Sequence, residues 1–68
     1  MKNKVALFRK EHGYSQEFLA KKLGVSRQTI ISIEKEKYNP SLPLALLIAE
    51  VFETEVKHIF SLEESDRP

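Results

Sequence analysis

Three serines, each one or two residues beyond a Gly or a Pro, decide what this chain can fold into. Ser15 follows Gly13, Ser26 follows Gly24 and Ser41 follows Pro40. Glycine adopts the left-handed conformation that stops a helix, and proline halts one. A serine oxygen then accepts from the free N–H groups that open the next. The chain is thereby cut into helix-sized lengths, and nothing alternates long enough for a sheet. The spacing predicts helices over 3–12, 16–23, 27 to about 36, 42–52 and about 55–61.

The apolar residues agree with that division. Val5, Phe8 and Arg9 line one side of the first helix, which Gly13 stops. Leu19, Ala20 and Leu23 make a stripe on the second, with Glu17 in its favourable first turn. The fourth is apolar nearly all round, from Leu42 to Phe52, and belongs in a core or between subunits. Val56, Ile59 and Phe60 serve the fifth. The ending "EESDRP" has nothing to bury, so residues 1–61 are expected to be the domain and 62–68 a disordered tail. The fold class is all-α, a compact five-helix bundle.

With 68 residues there is room for one core, worth roughly 3–5 kcal/mol at this size. The chain has no cysteine, which excludes disulfides and thiolate zinc sites. His12 and His58 lie far apart without a second ligand at helical or hairpin spacing, so no metal or cofactor is expected. His12 reads as a polar residue in the last turn before Gly13. No apolar run approaches the roughly 18–20 residues of a membrane span, and no cleavage site follows the basic N-terminus. A cytoplasmic location without membrane contact is expected. No nucleophile–His–acid grouping or phosphate-cradling glycine loop occurs, which sets an enzyme aside. The net charge of +1 conceals an asymmetry. Residues 1–40 carry nine Lys/Arg against four Glu, whereas residues 41–68 carry two against six Asp/Glu. A basic half suits a polyanion, and the acidic half something else.

The second and third helices are joined by about four residues around Gly24, the spacing of a helix-turn-helix. With Gln28 set at zero and about 100° per residue, Ile30 and Ile33 fall on the core side. Gln28, Ile31, Ser32 and Lys35 cluster opposite, flanked by Arg27 and Thr29. That outward strip contains no acidic residue. Arg can pair with guanine and Gln with adenine, Ser suits either, and an Ile methyl can touch that of thymine. The alternative is an ordinary solvated face, for which Ile31 is a poor choice.

At this point the run "SQEFLAKKLGVSRQTIISIEKEKYNPSLPLALLIAEVF" resembles the phage-repressor and Cro type of helix-turn-helix, the XRE family. The resemblance covers about residues 3–60. It implies a lambda-repressor-like five-helix domain whose third helix enters the major groove of a near-palindromic double-stranded DNA operator. A homodimer, at least on DNA, is implied with it. By the same resemblance Arg27 and Gln28 read bases, with Ser32 a turn further on. Thr29 and Ile31 join them on the strip. Gln16, Lys35, Lys37, Tyr38 and Asn39 meet phosphates, and Arg9 pairs with Glu34 as a structural ion pair.

Two features depart from the family. Glu36 and Glu53 occupy positions where glycine is common, so either they turn left-handed at some cost or the helix ends are remodelled. Leu7, Phe18, Ile31 and Leu47 are apolar where the family is usually polar. The expected function is a sequence-specific transcriptional regulator, most simply a repressor excluding polymerase. The alternative is an antitoxin or adaptor that binds a partner protein.

Overall fold

The computed structural model describes residues 1–68. Five helices follow in order: α1 (Val5–Glu11), α2 (Gln16–Leu23), α3 (Arg27–Glu34), α4 (Leu42–Val51) and α5 (Val56–Ile59). Two-residue strands, β1 (Lys2–Asn3) and β2 (Phe60–Ser61), bring the chain ends together. The fold is mostly helical, as the serine spacing predicts. Each of the three serines accepts from the backbone N–H three residues on: Ser15 from Phe18 at 3.0 Å, Ser26 from Thr29 at 3.2 Å and Ser41 from Leu44 at 3.3 Å. Each satisfies a donor that the first turn leaves unpaired.

Helices α1 to α4 all stop in the same way. A left-handed residue follows, at Gly13 (φ 71°), Gly24 (φ 71°), Glu36 (φ 61°) and Glu53 (φ 53°). Two successive N–H groups then donate back into the last turn. After α3, for example, Glu36 donates to Ile33 at 2.9 Å and Lys37 to Ser32 at 3.0 Å. The two glutamates thus accept the left-handed conformation, and α3 ends at Glu34 rather than near residue 36. The strain a Cβ causes there is about 1–2 kcal/mol, against roughly 0.5–1 kcal/mol for the extra freedom glycine loses on folding. Glu53→Gly is therefore expected to raise stability by about 0.5–1 kcal/mol. Glu36→Gly should gain less, because Glu36 Oε2 accepts from the Asn3 N–H at 3.3 Å. Urea denaturation midpoints of the two variants check this, and a loss of stability in Glu53→Gly would contradict it.

The short sheet is the element the sequence conceals. Lys2 pairs with Ser61 and Asn3 with Phe60, antiparallel. Helix α1 consequently begins at Val5, not at residue 3. Asn3 sits outside it, with Oδ1 accepting from the Val5 N–H at 3.1 Å and Nδ2 donating to the Ile33 carbonyl at 2.8 Å. Helix α5 is likewise cut to one turn because Phe60 and Ser61 are extended. Beyond it, Glu64–Asp66 form a single 3-10 turn with no buried residue. The Met1 ammonium lies 3.1 Å from both Glu63 and Asp66. The Glu63 N–H first, and then that ammonium, hold the Asp66 carboxyl below its ordinary range.

The core draws on every helix. Val5, Leu19, Ile30, Ile33, Ile48 and Ile59 are almost wholly buried, with Phe52 and Phe60 beside them. Helix α4 buries one face through Leu44, Ala45, Ile48 and Ala49. Its other face leaves Leu42, Leu46 and Leu47 exposed by 69, 50 and 46%. His12 caps α1 through Nδ1 and the Phe8 carbonyl at 2.9 Å, with its ring against Tyr14 and Phe52. No helix is long and apolar enough to cross a membrane.

Candidate nucleic-acid interface

One carboxylate ties the first three helices together. Glu34, in the last turn of α3, accepts from Arg9 Nε at 2.7 Å and Arg9 Nη2 at 3.2 Å, a two-pronged pair from α1. Its Oε1 also accepts from Gln16 Nε2 at 3.1 Å, from the first residue of α2. Arg9 Nη1 donates to the Tyr14 carbonyl at 3.0 Å. The Arg9 and Glu34 side chains are only 12 and 9% exposed. The charge of Glu34 is therefore met inside the protein, and α3 presents no acidic group from its recognition strip.

Helix α3 itself divides as its periodicity predicts. Ile30 and Ile33 are fully buried, while Arg27 and Gln28 are exposed and Thr29, Ile31 and Ser32 are partly covered. Lys35, Lys37, Tyr38 and Asn39 are exposed on the turn that follows. Gln16 is half-buried, with one N–H of its amide already given to Glu34.

A family model described as Helix-turn-helix matches residues 5–59, most of the chain. The chain belongs to the XRE-type helix-turn-helix family. It is similar to the HTH-type transcriptional regulator MJ0272 of Methanocaldococcus jannaschii, 56% identical over 66 residues, which are 97% of this chain and 100% of that one. It is similar too to the HTH-type transcriptional regulator YgzD of Bacillus subtilis, 50% identical over 97% of this chain and 100% of that one. Among solved structures, a hypothetical transcription factor, NHTF, from Neisseria superposes with a TM-score of 0.74 at 28% identity. That match covers 79% of this chain, which spans 61% of the Neisseria protein. As a member of this family the chain is a DNA-binding transcription regulator, and its family and relatives are regulators rather than enzymes.

Within this helix-turn-helix protein the strip on α3 has two unlike flanks, a distinction the sequence does not reveal. On one side Arg27 shares an open notch of about 570 Å³ with Arg9, Ser15, Gln16 and Glu17, and no apolar residue lines it. On the other, Gln28, Thr29 and Ser32 share a recess of about 290 Å³ with Ser26 and Tyr38. The fold therefore brings Gln28, Thr29, Ser32 and Tyr38 together and sets Arg27 apart with Gln16. Ser26, a helix cap by sequence, also lines the recess. Only the path of the turn after α3 brings Tyr38 back beside it, and no local signal in the sequence encodes that path. Phe18 is the other exposed aromatic. Its ring lies against Tyr14, and the Lys22 ammonium stands 5.5 Å from the ring centre.

Proposed function

We propose that this XRE-type protein acts as a repressor, reading the major groove of a near-palindromic operator with α3 and blocking access to an overlapping promoter. The observation that carries the reading is the strip from Arg27 to Lys35, whose neighbouring carboxylate, Glu34, is consumed by Arg9 and Gln16. An exposed acid there would repel the polyanion; a neutralised one does not. Arg27, Gln28, Thr29, Ile31 and Ser32 are assigned to base edges. Gln16, Lys35, Lys37, Tyr38 and Asn39 are assigned to phosphates, Gln16 through its second amide N–H. A homodimer would set two α3 helices ~34 Å apart, one helical turn of DNA. The three exposed leucines of α4 supply apolar surface for such a contact. The same surface, with Phe18, supports a second reading in which a partner protein docks there, as for an antitoxin or adaptor.

Selection of bound duplexes from a random pool tests the proposal, since it returns motif, symmetry and half-site spacing together. A two-fold motif is expected; a single asymmetric site would remove the dimer from the proposal. Against the selected duplex, Gln28→Ala should lose about 1–3 kcal/mol of discrimination at one base position. Lys37→Ala should weaken all sequences alike and make the salt slope shallower by about 0.9. Titrations of both variants at several salt concentrations separate the two roles. An unchanged motif for Gln28→Ala would refute its assignment to a base.

A further inference from the structure

The two flanks of α3 call for different ligands. The notch beside Arg27 carries two guanidinium groups and a carboxylate and has no apolar wall. The recess on the other flank has no charged side chain at all. Its polar groups are also largely used up among themselves. Ser26 Oγ accepts from the Thr29 N–H at 3.2 Å and lies 3.0 Å from Thr29 Oγ1. Gln28 Nε2 reaches Ser32 Oγ at 3.5 Å, a weak contact that a better partner would displace. What remains facing the space is the Thr29 methyl, the Gln28 methylenes and the ring of Tyr38, which is 46% exposed. A small apolar hollow thus sits within a polar strip. A phosphate would find no positive charge in it, and a base amide or carbonyl would find its hydroxyls engaged.

We infer that this recess holds the C5-methyl group of a pyrimidine in the major groove, thymine or 5-methylcytosine, with Thr29 and Tyr38 as its walls. The inference rests on α3 entering that groove and adds a ligand class to it. Among major-groove features only the C5-methyl is apolar. Gln28, at the mouth of the recess, is then placed to read the adjoining base. The ring of Tyr38 does the walling, which leaves its hydroxyl free for the backbone. Recognition at this position follows the methyl and not the exocyclic group, so 5-methylcytosine can stand in for thymine while cytosine cannot.

The test replaces each thymine of the selected duplex in turn with deoxyuridine, which deletes the methyl and nothing else. One thymine per half-site should show about a fourfold loss of affinity, the equivalent of the roughly 0.8 kcal/mol carried by one buried methyl-sized group. Restoring a methyl there as 5-methylcytosine, with its guanine partner, should bind better than unmethylated cytosine. In Tyr38→Ala the deoxyuridine penalty should vanish, and in Tyr38→Phe it should persist. Should Tyr38→Ala lose its fold, Thr29→Ser, which removes one wall methyl and keeps the cap, should still reduce the penalty. Ile31→Ser should leave this position's penalty intact. A selected duplex in which no thymine responds to loss of its methyl overturns the inference. So does a penalty unchanged by both Tyr38→Ala and Thr29→Ser. Either result leaves groove reading by α3 standing, whereas failure to select any duplex would remove both.

Discussion

Arg9→Ala is expected to cost about 3 kcal/mol of stability, much of what a domain this small possesses. The loss is larger than the pair's net worth, because Glu34 would keep its charge at 9% exposure with only the Gln16 amide to meet it. The Tyr14 carbonyl would lose its donor as well. Removing both charges should be far milder. Arg9→Met combined with Glu34→Leu is expected to recover more than half of the loss, since the penalty comes from stranding one ion and not from losing an attraction. Urea unfolding of the single and double variants measures this directly. A single variant costing less than about 1 kcal/mol would mean that water reaches the carboxylate, and the pair would then be an ordinary surface contact.

Ile30→Ala should cost about 2–4 kcal/mol, whereas its neighbour Ile31 can become Ser with little change in melting temperature. The two side chains are adjacent in sequence but lie about 100° apart around α3. Ile30 is wholly enclosed, so truncation leaves a cavity whose lining relaxes only in part. Ile31 is only half-covered. Thermal unfolding reports the first effect and binding to a selected duplex the second. A comparable drop in melting temperature for both would show that Ile31 belongs to the core and not to the interface.

How far the sequence discloses this structure depends on how local each determinant is. The three serine caps, the stripes of α2 and α3, and the division of the two isoleucines depend on residues within one turn, and they are readable directly. The Arg9–Glu34 pairing bridges helices and entered through family resemblance, since spacing alone does not announce it. The sheet is invisible because two residues are too few to alternate and their partners lie at the other end of the chain. Glu36 and Glu53 mislead for a different reason. Glutamate prefers a helix, yet the fold around each holds it left-handed against that preference. From the Glu36 turn follows the position of Tyr38, and hence the recess. That part of the site was illegible because it is the product of a strained backbone.

The uniform helix stops bear on how such a protein can change its target. Each joint is fastened by backbone N–H groups and one left-handed residue, so the angle between helices owes little to the outward side chains. Arg27 and Ile31 make no side-chain hydrogen bond within the fold, and Gln28 and Ser32 share only the long one between them. Those four positions can be rewritten without disturbing the frame that holds them, provided Ser26 and Thr29 keep the cap. Retargeting is thus a matter of a few surface substitutions on α3, and the scaffold can pass unchanged from one DNA sequence to another.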